Sequence, residues 1–128
     1  RPKNYVLKKI ILSVKQIESK KLKKLNIGNI NIKRDWGWSE DYMEACNLIL
    51  SKNKIDDYII ATGKTTSLKN IIELIFKKNN MKWKRFTKID KKFFRKFEIK
   101  ENYANISKIK KSLGWTPKNF YYDIISKI

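Results

Sequence analysis

At 128 residues, with 41% hydrophobic side chains and sixteen aromatics, the chain has the size and apolar content of one packed domain and is too apolar for a disordered segment. No apolar run approaches the ~18 residues a membrane helix needs. A single cysteine, Cys46, excludes an internal disulfide and suits a reducing, cytoplasmic setting, and the absence of histidine removes imidazole from metal binding and general-base work.

The net charge of +19 points first to a polyanionic partner. Its composition argues otherwise. Of the 31 basic residues, 27 are Lys and four are Arg (Arg1, Arg34, Arg85 and Arg95), while Lys, Ile and Asn together make up 59 residues. All three are read from A/T-dominated codons, so an AT-rich coding sequence produces this bias on any fold. Lys decorates solvated faces, whereas the planar Arg fork suits bidentate phosphate recognition. Nucleic acid is therefore not expected as a partner, a basic nucleic-acid-binding module stands as the rival from another class, and the arginines are the informative cations.

In chain order, Tyr5, Val6, Ile10, Leu12, Val14 and Ile17 have mostly helical spacing, which predicts an amphipathic helix over 5–20. Leu25 to Asn29 reads as a short strand and its turn. A helix is expected from Ser39 to about Leu50, with Ser39 as its N-cap and acids in its first turn, where the helix dipole favours them. Asp56-Asp57 precedes Tyr58 to Thr62, a continuous apolar run of the kind a buried parallel strand shows, so a strand is expected over 57–62. Ser67 caps a further helix over about 66–78, whose apolar face holds Leu68, Ile71, Ile72, Leu74, Ile75 and Phe76. Trp83 to Ile99 is basic, aromatic and irregular, and reads as a loop with short extended pieces. A short helix from Lys108 to Leu113 should stop at Gly114, and a last one should run from about Tyr121 to Ile128. The pattern is α/β. The run at 58–62 wants strand partners that the chain does not supply, and the chain starts without methionine in mid-pattern, so it is expected to be a fragment of a larger sheet.

Several motifs tempt and fail. Gly63-Lys64-Thr65 sits between an expected strand and helix, as a phosphate-binding loop would, but the glycine needed five positions earlier is Tyr58. There is no GxGxxG, and the carboxylates show neither HExxH nor EF-hand spacing. Cys46 falls within a helix and reads as packing. The interleaved aromatics and lysines from Met81 to Phe97 could stack single-stranded bases or pin the aromatics into a domain face, with the second preferred.

Lys33-Arg34-Asp35-Trp36-Gly37-Trp38-Ser39-Glu40-Asp41-Tyr42-Met43-Glu44-Ala45 is of a different kind. An Arg at a strand end, followed by a helix start, can aim a guanidinium fork into a cleft or simply pair with a neighbouring acid. The segment resembles the RDWGxxxDYVxA stretch of GDP-mannose 4,6-dehydratases at Arg34, Asp35, Trp36, Gly37, Asp41, Tyr42 and Ala45. The resemblance extends along the chain. Arg1 with Tyr5-Val6-Leu7-Lys8-Lys9-Ile10 is similar to RxxxFVTRKI, Gly28-Asn29 to GN, and Asp57 to Thr62 to DYVVAT. Phe94-Arg95-Lys96-Phe97-Glu98-Ile99 resembles FRPxEV, and Ser107-Lys108 with Leu113-Gly114-Trp115-Thr116-Pro117 resembles SKA…LGWxP.

The resemblance implies an extended short-chain dehydrogenase/reductase fold of Rossmann type, of which residues 1–128 form a single C-terminal, sugar-nucleotide-binding segment carrying the last strands of the parallel sheet. The NADP-binding half and the catalytic Thr, Glu and Tyr-xxx-Lys set would lie upstream, so no catalytic residue is expected in this chain. The implied parent oxidises C4 of GDP-mannose with bound NADP, eliminates water across C5–C6 and returns hydride to C6. It is a cytoplasmic lyase, a homo-oligomer (dimer or tetramer) when intact and silent as the isolated segment. A related nucleotide-sugar epimerase or decarboxylase is the nearer alternative. By resemblance, Arg1 contacts NADP, Lys8, Lys9 and Asn29 face the nucleotide sugar, Arg34 and Arg95 clamp its diphosphate, and Glu98 accepts ribose hydroxyls. Lys8 stands where the family has Arg, and Lys96 where it has the Pro of FRPxEV, which loosens the link between Arg95 and Glu98.

Overall fold

The computed structural model describes residues 5–53 and 56–127. It contains six helices and four three-residue strands in the described residues: α1 Val6–Glu18, β1 Leu25–Ile27, β2 Lys33–Asp35, α2 Ser39–Leu50, β3 Thr65–Ser67, α3 Leu68–Lys78, α4 Trp83–Phe86, β4 Thr87–Ile89, α5 Ser107–Leu113 and α6 Tyr121–Lys127. The chain divides into two compact units: residues 1–32 with 67–99, and residues 33–66 with 100–128.

In the first unit, β1 and β4 pair in parallel, with Leu25, Asn26 and Ile27 opposite Thr87, Lys88 and Ile89. Helices α1 and α3 pack together, α1 against β1 and α3 against α4. The apolar stripe of α1 buries Ile10, Val14 and Ile17, and that of α3 buries Leu68, Ile71, Ile72, Ile75 and Phe76. Phe76 is fully buried and stacks on Phe86 at 6.4 Å between ring centroids. Each such side chain contributes about 1.5–3 kcal/mol on burial. The first amides of α3, which have no partner within the helix, are satisfied from outside: Leu68 N donates to Ile32 O, Lys69 N to Ile30 O, and Asn70 N to the Ser67 hydroxyl. At Gly28 a side chain is excluded, since a Cβ would lie 2.6 Å from the carbonyl oxygen of Phe93.

In the second unit, β2 pairs with β3, and Lys33 also bridges in parallel to Glu101. Ala45 of α2, Ile109 of α5 and Trp115 form a core on which Tyr42, Leu48, Tyr58, Ile60 and Ile106 pack. Gly114 ends α5 in the left-handed region at φ 68°, as its position predicts.

Three expectations are corrected. Residues 57–62 form no strand, and the strand before α3 is Thr65–Ser67. A strand is made by ladder partners, and here Tyr58 and Ile60 turn onto the α2–α5 core while Ile59 stays 57% exposed. The amides of Thr62 and Gly63 go to a carboxylate instead of a neighbouring strand. Second, the loop with short extended pieces expected over Trp83 to Ile99 has such a piece in β4, but it also holds the helical turn α4 and a 3₁₀ turn at Lys91–Phe93. Elements of three or four residues are too short to show a period. Third, Ser39 is the first helical residue and not the N-cap; Trp38 occupies that place in extended conformation, without a capping side-chain bond.

Candidate functional site

The segment from Arg34 to Tyr42 is built as a brace. Asp35, at the end of β2, accepts from Thr62 N (3.0 Å) and from Gly63 N (2.8 Å), and lies 3.4 Å from the Tyr42 hydroxyl, which donates to it. Burial first, and then the Asp35 charge and hydrogen bond, push the Tyr42 phenol up to about 12. At neutral pH Tyr42 is therefore a proton donor to Asp35 and not a base. Gly37 is required by the same ring, because a Cβ there would meet the Tyr42 Oη at 1.8 Å and Cζ at 2.1 Å. Trp36 donates its indole N–H to Thr66 O at 3.4 Å, tying the same stretch to β3.

Within the first turn of α2, Asp41 is buried at 4% exposure and ends in a second latch. Its carboxylate accepts from Lys118 N (2.9 Å), Asn119 N (2.8 Å) and Asn119 Nδ2 (2.8 Å). Lys118 also reaches Glu44 with its ammonium at 2.8 Å. The acids near the start of α2, read as favourable to the helix dipole, thus also hold the chain leading into α6. That role depends on residues 77 and 78 positions away and leaves no local signal.

Between these fixtures stands Arg34, half-buried in β2, its Nη1 donating to Lys33 O at 2.7 Å. β2 is held on β3 and on the bridge to Glu101, where Lys33 N donates to Lys100 O (2.8 Å) and Asn102 N to Lys33 O (3.2 Å). The strand bearing Arg34 is therefore fixed by neighbours and by the Asp35 brace immediately after it.

The remaining expected residues belong to the first unit, apart from Arg34 in the second. Lys8 and Lys9 are half-buried on α1. Lys9 donates its ammonium to Asn26 O at 2.7 Å and stands 4.4 Å from the centroid of the Phe93 ring. Asn29 accepts from Asn31 N at 2.9 Å in an Asx turn just beyond Gly28. Arg95 is exposed and Glu98 half-buried. Arg1 lies outside the described residues. Lys9 and Asn29 thus hold structural hydrogen bonds. Gly28, Asp35, Gly37, Asp41 and Tyr42 complete the picture as residues of architecture: a motif that stands out for its arginine is mostly the frame around it.

The Gly63–Thr65 turn has its Gly63 amide committed to Asp35, and Lys64 lies over the Phe120 ring at 4.5 Å. Among the described residues no group of three or more His, Cys, Asp or Glu is placed to hold a metal ion.

The architecture matches that of several solved structures. RMD from Pseudomonas aeruginosa, complexed with NADPH, superposes with a TM-score of 0.85 at 16% identity, over 98% of this chain and 41% of that one. UDP-glucuronic acid 4-epimerase from Bacillus cereus, complexed with UDP-glucuronic acid and NAD, gives 0.77 at 22% identity, over 98% of this chain and 38% of that one. The fold is that of the extended short-chain dehydrogenase/reductases, and the chain spans about two-fifths of the solved chains it matches. The family described as GDP-mannose 4,6 dehydratase matches residues 1–128, and the chain belongs to that family. GDP-mannose 4,6 dehydratase 1 of Arabidopsis thaliana is 38% identical over 118 residues, 92% of this chain and 33% of that protein. The Dictyostelium discoideum enzyme is 34% identical, over the whole chain and 41% of its own length. The chain thus spans between a third and about two-fifths of these relatives.

Proposed function

We propose that the chain is the sugar-nucleotide-binding part of a GDP-mannose 4,6-dehydratase, and that Arg34 is one jaw of its diphosphate clamp. The observation that carries the reading is the brace at Asp35: two backbone amides and a phenol converge on the carboxylate next to Arg34, in a motif shared with the family that matches the whole chain. Fixing β2 in this way lowers the entropy lost when a flexible guanidinium engages an anion. Arg95 is the second jaw, Lys8 and Lys9 add positive charge near the sugar nucleotide with Asn29, and Glu98 takes a ribose diol. A planar fork binds phosphate oxygens bidentately, and a carboxylate is a natural acceptor for vicinal hydroxyls.

The parent reaction is the loss of water from GDP-mannose to give GDP-4-keto-6-deoxymannose, with NADP supplying hydride transfer when bound. In this chain NADP contact falls to Arg1. The chain's own work is to bind and orient the substrate, and the groups that move protons belong to the rest of the parent, a cytoplasmic homo-oligomer. The test joins this chain to the remaining length of its relatives and assays GDP-mannose. Formation of the 4-keto-6-deoxy product supports the reading, whereas turnover of a UDP-sugar without turnover of GDP-mannose reassigns the substrate.

A further inference from the structure

The division into two units sorts the charge. Residues 1–32 and 67–99 carry 20 Lys and Arg against four acids, a formal +16, whereas 33–66 and 100–128 carry 11 against eight, or +3. Coding bias toward Lys acts on both units alike and does not produce this asymmetry. The first unit also holds an open groove of ≈ 470 Å³ at the end of α3 and the start of α4, lined by Lys77, Lys82, Trp83 and Lys84 together with Glu73, Asn80 and Met81. The three lysines are exposed, and Trp83 is half-buried with the Lys69 ammonium 6.0 Å from its ring centroid. None of these residues belongs to the proposed sugar-nucleotide site.

We infer that this groove binds single-stranded nucleic acid, its lysines taking backbone phosphates and the Trp83 ring offering a face for a base. The positive field of the whole unit draws in a polyanion, and an aromatic set among lysines is the platform that sequence-independent single-strand binding uses. A half-buried tryptophan lining a groove suits a flat base better than it suits insertion into a lipid surface, where an aromatic must protrude. An acidic peptide would need the lysines but not the ring.

Trp83 is the one tryptophan of the first unit, since Trp36, Trp38 and Trp115 lie in the second, so its emission can be isolated as the difference between the parent chain and Trp83→Phe. The full 128-residue chain, held at concentrations where sizing shows a monomer, is titrated with labelled oligo-dT and oligo-U of increasing length at several salt concentrations, following anisotropy and tryptophan quenching. We expect affinity to rise with length and quenching to require Trp83. Trp83→Leu should weaken binding roughly tenfold, with Trp83→Phe recovering most of it. The surface triple variant K77Q/K82Q/K84Q, which disturbs no core residue, should reduce the slope of log affinity against log salt by about 2. Excess GDP-mannose should not displace the oligonucleotide, so the result does not depend on the sugar-nucleotide reading. Retention of full affinity and slope by the triple variant would overturn the proposal. So would binding to phosphatidylserine vesicles without binding to oligonucleotides, and so would no oligonucleotide binding at physiological salt.

Discussion

Asp35, Gly37, Asp41 and Tyr42 form one mechanical assembly, and each should fail in its own way. Asp41→Ala removes a buried carboxylate that accepts three hydrogen bonds and leaves the donors of Lys118 and Asn119 unpaired. A loss of about 2–4 kcal/mol is expected in chemical unfolding. Gly37→Ala should destabilise by displacing the Tyr42 ring, and Tyr42→Phe should not rescue it, because the ring carbon lies nearly as close as the hydroxyl. Tyr42 also sets a pH response. Its phenol is raised from 10.0 to about 12 in the fold, so the folded state holds that proton more tightly than the unfolded chain. The stability this brings is complete below pH 10 and is lost as pH rises toward 12. Thermal unfolding across that window should fall more steeply for the parent chain than for Tyr42→Phe; parallel curves would remove Tyr42 from the brace.

Among the elements, the two serines read as caps provide a direct comparison. Ser67 accepts from Asn70 N, so Ser67→Ala should cost about 1 kcal/mol, while Ser39→Ala, at a position that makes no capping bond, should stay within about 0.5 kcal/mol. Differential melting of the two variants checks both. The same pair shows what was legible. The helices α1, α2, α3 and α5 follow from apolar period and from Gly114, because those signals are local. The strands do not. Residues 57–62 have the composition of a buried strand, yet Asp35, 27 and 28 residues away, takes the amides of Thr62 and Gly63. In contrast, β1 and β4 exist because they pair with each other across a long stretch of intervening chain. Of the site, the motif around Arg34 was visible from its resemblance, but the roles of Asp35 and Asp41 were not, since the partners of both are distant in sequence.

For the molecule as a whole, apolar surface is left open: Phe97 is 88% exposed, Leu50 82%, Ile99 66% and Ile59 57%. Among the described residues the sheets have two strands each, a size that depends on packing against other elements. The 128-residue chain alone should therefore self-associate as its concentration rises, seen as a growing apparent mass in sizing experiments. A soluble monomer with a sharp cooperative transition would show that the two units need no such cover. The central claim, that this chain clamps the diphosphate of a nucleotide sugar through Arg34 and Arg95, is tested most directly by a double-mutant cycle on GDP-mannose affinity in the intact protein. Arg34→Ala and Arg95→Ala should each weaken binding roughly 30- to 150-fold, and the double variant should lose less than the product of the two, because both jaws grip one ligand. Unchanged affinity in both single variants would contradict the account.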